Sequence, residues 1–213
     1  MKKIFHILIS LLTLNCYGQT KIGSYSIDNN IQVKIDKNVT SFNDPALGSS
    51  VIGSVDLKLF IKDSLITDTY SKDKKLECII YTTLDGDTAN ITGFVGMFAG
   101  FGFQISLFKD SCLIHYISKS DSKIYKLKKT DSLNYAIAVP CKTSKLTLTN
   151  KPVIKKGEVI SGIIELTSDD YYEVANGKET KYRMQLTGYF KTEALQSLQD
   201  KYNKLKPKKT KKK

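Results

Sequence analysis

Few side chains in this sequence have the types and spacing that chemistry needs. Asp169, Asp170 and Glu173 stand close together around Tyr171-Tyr172. Two carboxylates held about 5–10 Å apart are the working pair of a glycosidase, so a carboxylate-dependent secreted hydrolase is one function class these residues admit. Asp85, Asp87 and Asn90 offer oxygen ligands of the kind calcium takes. That loop lacks the third acid and the closing Glu of an EF-hand, and a plain turn accounts for the same residues. His115 lies in the apolar run Cys-Leu-Ile-His-Tyr-Ile. A catalytic histidine needs a nucleophile and an orienting carboxylate within reach, no G-x-S-x-G accompanies it, and it reads as a sheet-face residue. No residue is assigned a catalytic role, and neither a metal site nor a cofactor is expected.

Cys78, Cys112 and Cys141 each sit in or beside an apolar run and show no C-x-x-C spacing, which argues against structural zinc. Two readings stay open: three buried thiols, or one disulfide with one thiol left over.

Binding chemistry is better represented. Tyr171 and Tyr172, beside acidic residues, form a candidate aromatic contact face, because tyrosine supplies rigid amphipathic area. Lys204, Lys206, Lys208, Lys209, Lys211, Lys212 and Lys213 are the second candidate set. The chain carries a net charge of +12, and from Thr192 onward eight lysines face two acids, so half the surplus belongs to the C-terminal end. Such a run attracts anionic surfaces at about 1 kcal/mol per lysine close to them. The expected partner is an anionic envelope component or a protein, with peripheral membrane contact as a further possibility. No base-reading or stacking motif supports specific nucleic-acid binding.

The elements that must position these residues read mostly as strands. Met1 to Gly18 has two lysines, an apolar stretch from Ile4 to Leu14 and small residues at its end, the pattern of a secretory signal peptide. Export to the periplasm, the outer-membrane face or the medium of a Gram-negative bacterium is the expectation. Cys16 leaves a lipoprotein reading as the alternative. Period-2 alternation then recurs at Ile31-Val33-Ile35, Val55-Leu57-Leu59-Ile61, Phe101-Phe103-Ile105-Leu107, Leu133-Tyr135-Ile137-Val139 and Leu146-Leu148. Turn residues separate the runs. Asn176-Gly177 is the strongest signal and should close a hairpin between Val159–Val174 and Glu179–Phe190. Lys62-Asp63-Ser64 and Lys109-Asp110-Ser111 echo one another between apolar runs.

Ile91 to Phe108 carries no charge. Its glycines and its period-2 second half favour a buried strand entered through a bend over a membrane helix. Leu195, Leu198, Tyr202 and Leu205 have helical spacing, with Thr192 as N-cap and Pro207 as stop.

The expected organisation is a signal peptide over 1–18, an antiparallel β-sandwich over 19–191, an amphipathic helix over 192–206 and a basic tail over 207–213. Lys155 to Gly162 resembles the Gly-Glu/Asp-x-hydrophobic-x-Gly opening of a strand in immunoglobulin-like sandwiches, which implies an immunoglobulin-like or jelly-roll-like all-β fold and nothing about function. The function expected is that of an exported, non-catalytic binding module.

Overall fold

A computed structural model describes residues 22–44, 48–69, 75–96 and 98–195. The expected signal peptide, Cys16 and the C-terminal lysines lie outside these residues. Among the described residues the chain is mostly antiparallel β-sheet with one short α-helix. The strands are β1 (Tyr25–Ile27), β2 (Thr40–Asp44), β3 (Gly48–Ile61), β4 (Ser64–Asp68), β5 (Leu76–Asp85), β6 (Thr88–Gly96) and β7 (Gly100–Leu107). They continue as β8 (Cys112–Lys119), β9 (Tyr125–Lys126), β10 (Ala136–Leu148), β11 (Val159–Ser168), β12 (Tyr171–Ala175) and β13 (Lys178–Leu195). Helix α1 (Gln32–Asn38) follows a single 3-10 turn.

All thirteen strands belong to one sheet, so the expected sandwich is not seen as two separate sheets. Eight of them are paired in a ring. β3, β5, β6, β7, β8, β10, β11 and β13 are each antiparallel to the next, and β13 pairs back onto β3 from Tyr182–Ile61 to Tyr189–Ser54. Closure removes the free edges that an open sheet would expose.

The alternation in sequence becomes the two sides of this wall. Phe101, Phe103, Ile105 and Leu107 of β7 face Val95, Gly93, Ile91 and Ala89 of β6 directly across the ladder. They join Val55, Leu57, Ile80, Ile114, Tyr116, Val139, Ile164 and Leu186 in one apolar core. Phe103 needs room that two glycines supply. A Cβ on Gly93 would lie 2.4 Å from its ring, and one on Gly188 would lie 2.6 Å from it. A register shift between Cys141 and Thr143 keeps Val139 and Leu146 on the same face of the long strand β10.

Several sequence expectations need correction. Ile31-Val33-Ile35 is not a strand. Ile31 and Ile35 are buried four residues apart, as on one face of a helix, while Val33 is 64% exposed. Thr192 is no N-cap, because β13 continues through it to Leu195 and pairs with β5 at Ala194–Thr82 and Leu195–Thr83. Position 196 and those after it, the remainder of that expected helix, fall outside the described residues. Leu133 and Tyr135 precede β10 and do not extend its buried face.

The Asn176-Gly177 hairpin is present. Both residues have positive φ, 51° and 72°, and they join β12 to β13, as a two-residue turn of the primed type requires. The charge-free stretch folds as the β6–β7 hairpin, and among the described residues no helix is long and apolar enough to cross a membrane.

Candidate ligand cavity at one end of the barrel

Strands β3 and β13 are the longest in the sheet, and they project beyond the ring at one end. There β3 carries β4, and β13 carries β12, which in turn pairs with β9. These short strands build a collar around a cavity of about 480 Å³. Its apolar wall is Leu57 and Leu59 from β3, Leu76 from β5, Phe101 from β7 and Met184 from β13. Its polar wall is Thr67 and Thr69 beside β4, Tyr116 and Ser118 from β8, Tyr125 from β9, Tyr171 and Glu173 from β12, and Tyr182 from β13.

The tyrosines form a connected group. Tyr171 stacks on Tyr182 with ring centroids 5.8 Å apart, and it packs against Tyr116 at 5.6 Å and Tyr125 at 6.5 Å. The hydroxyls of Tyr116 and Tyr171 approach to 3.5 Å, and Ser118 Oγ donates to the Tyr125 hydroxyl at 2.9 Å. Burial raises the pKa of all four phenols, and the charge of Glu173 adds to the effect. Burial also pushes the Glu173 carboxyl above the usual range. Thr69 fixes the collar to the ring: its hydroxyl accepts from the Leu57 amide at 2.7 Å and bonds the Leu57 carbonyl at 3.2 Å.

Period two separates neighbouring residues of the collar. Tyr171 and Glu173 point into the cavity, while Tyr172 lies on the opposite side of β12, where Lys129 Nζ sits 5.9 Å from its ring centre. Tyr171 and Tyr172 therefore do not make one aromatic face, and Tyr171 is only 1% exposed. The outer side carries the cations. Lys126 pairs with Glu179 at 3.2 Å, and Lys181 and Arg183 hold Asp170 at 3.1 and 3.0 Å. Burial alone would raise the Asp170 carboxyl, but the hydrogen bonds from Lys181 and Arg183 outweigh it and hold the group below its usual range.

The acids grouped in sequence are thus dispersed. Asp169 is exposed, Asp170 belongs to the outer ion-pair network, and Glu173 is the one carboxylate lining the cavity. A hydrolytic carboxylate pair is not assembled there. His115 is half-buried on β8, opposite Gln104 and Pro140, and burial lowers its pKa. Asp85-Gly86-Asp87 is the β5–β6 turn, with Gly86 at φ 56°, and no metal-holding group of His, Cys, Asp and Glu occurs among the described residues. Cys78, Cys112 and Cys141 are free thiols. Burial pushes them up to about 12, about 11 and about 12 respectively.

Sequence reading missed the site because its residues come from eight separate strands. The signal that could have found it is the inward parity of Tyr116, Tyr171 and Tyr182, three tyrosines where an aliphatic side chain would fill the core. Comparison with protein-family models, curated proteins and solved structures finds no match for this chain.

Proposed function

We propose that this chain is a non-catalytic binding protein that takes one small, largely apolar molecule into the mouth of an eight-stranded up-and-down barrel. The observation that carries the reading is the cavity itself. It is walled by inward-facing aliphatic and aromatic side chains, with a few convergent polar groups on one side. Barrels of eight strands have room for packed side chains or for one small ligand, and their mouths are a preferred place for ligand sites. Among the described residues the lining holds one carboxylate and neither a second acid nor a histidine, which supports binding over hydrolysis.

The test is titration of the purified chain with an environment-sensitive apolar fluorophore. Saturable one-to-one binding that is lost when Leu59→Trp fills the cavity is expected. Absence of binding, or binding indifferent to that change, would remove the proposal.

The sequence supports a second element of the reading. The lysines from Lys204 to Lys213 would hold an exported barrel to an anionic envelope component or an acidic protein. Phe98, 73% exposed at the tip of the β6–β7 hairpin, would add apolar contact with a membrane surface. Cell fractionation of the chain and of a truncation after Gln199 tests this. An envelope-bound species released by salt or by truncation is expected, and equal behaviour of the two would refute the role of the tail.

A further inference from the structure

The charge distribution around the cavity specifies its ligand more closely. Among the described residues, Glu173 is the one charged side chain lining the cavity, and no described Lys, Arg or His lies beside it in that lining. The cations of the collar lie across the strands, engaged with Glu179 and Asp170. A half-buried carboxylate with no cation beside it among the described residues gives up hydration that nothing replaces. A neutral donor relieves that cost only in part, through one hydrogen bond, and an anionic ligand increases it. A cation relieves it, and tyrosine rings attract cations through their quadrupole, most strongly where water is excluded.

Building on the proposed ligand-binding role, we propose that the cavity ligand carries an alkylammonium group. That group sits between the Glu173 carboxylate and the half-buried Tyr182 ring, which Tyr171 backs from behind, with its apolar portion against Leu57, Leu59 and Phe101. The outer cations serve this arrangement by their placement, because pairing with Glu179 and Asp170 keeps Lys126, Lys181 and Arg183 from neutralising Glu173.

The experiment compares three compounds with one chain and different heads: octyltrimethylammonium, octanol and octanoate. Binding is followed by calorimetry and by the methyl resonance of Met184, which lines the cavity. The ammonium is expected to bind at least about tenfold more tightly than the alcohol, and octanoate most weakly. Glu173→Gln should bring ammonium and alcohol within about twofold of each other. The unmodified chain supplies a second measure. Affinity for the ammonium should fall as the pH is lowered from neutral into acid and Glu173, whose carboxyl burial raises, takes up a proton, while affinity for octanol stays level. The titratable groups facing Glu173 are Tyr116, Tyr125, Tyr171 and Tyr182, all neutral throughout that range, and the lining from β3, β4, β5 and β7 has none.

Equal or tighter binding of octanol or octanoate overturns the ammonium assignment and leaves the binding cavity standing. Failure of all three compounds to bind or to shift Met184 removes the binding role itself, and the ammonium assignment with it.

Discussion

Replacing Gly93 by alanine tests how the barrel interior is packed. The added Cβ would lie 2.4 Å from two atoms of the Phe103 ring and 3.1 Å from a third. Carbon atoms in ordinary contact are about 3.5–4.0 Å apart, so the ring would have to withdraw by roughly 1 Å. It has little freedom to do so. Phe103 is fully buried, the ring of Phe190 is 6.2 Å away, and Gly188 offers no space beyond what the ring already uses. Overpacking of this kind costs about 1–3 kcal/mol. The lower unfolded-state entropy of alanine returns about 0.4–1 kcal/mol, leaving a net loss of about 1–2 kcal/mol. For a chain of this size that lowers the Tm by roughly 2–8 °C.

Urea unfolding followed by circular dichroism, with an unchanged m-value, measures the loss. The decisive variant is the double change with Phe103→Leu, since leucine lacks the ring atoms that collide. Alone it leaves a void and is destabilising. Together the two changes should cost less than their sum by about 1 kcal/mol. Additivity to within about 0.5 kcal/mol would show that the ring is not the obstacle and would refute the packing described.

Glu173→Gln should raise stability at neutral pH. A carboxyl with a raised folded-state pKa stabilises the fold while protonated and loses that contribution as pH climbs from the unfolded value through the folded one. The variant's advantage should therefore shrink to nothing in acid, and denaturation curves across that window would expose a wrong sign. Thr82 is fully buried and its hydroxyl has no partner among the described residues. Thr82→Val should accordingly be neutral or stabilise by about 1 kcal/mol, and a loss of more than about 1 kcal/mol would reveal a missed hydrogen bond. The buried thiols of Cys78 and Cys112 and the half-buried one of Cys141, raised to between about 11 and about 12, should resist alkylation at mildly alkaline pH in the folded chain. They should react together on unfolding without added reductant, as intact mass would show, and a persistent unreacted pair would mean a disulfide.

Much of the wall of this protein was legible in its sequence, because period two is the direct imprint of one buried face. Val55-Leu57-Leu59 and Phe101 to Leu107 are strands with the expected residues inward. Both Lys-Asp-Ser echoes are hairpin turns, joining β3 to β4 and β7 to β8. The same signal failed at Ile31-Val33-Ile35, where three apolar residues fit a strand as well as a helix, and burial at Ile31 and Ile35 selected the helix. At Thr192 the helical spacing beyond it suggested a cap, while the pairing of β13 with β5, a contact distant in sequence, extended the strand.

The site was hidden for a related reason. Alternation tells which residues share a face, but not whether that face encloses a space or which strand lies opposite. Asp169, Asp170 and Glu173 looked like one cluster in sequence. The bend between β11 and β12 and the pleat of β12 send them to different sides of the wall.

Closure of the ring also bears on the order in which the chain can fold. The seam joins β3, among the first long strands to be synthesised, to β13, the last strand described. Until the stretch from Tyr182 to Glu193 is available, β3 and β11 each keep an unsatisfied edge. Such a partly emerged chain is slow to settle, because its decisive contacts are the most distant in sequence, and it is open to strand pairing with other chains. Loss of Tyr182 to Tyr189 would open the ring along the whole seam rather than at one end.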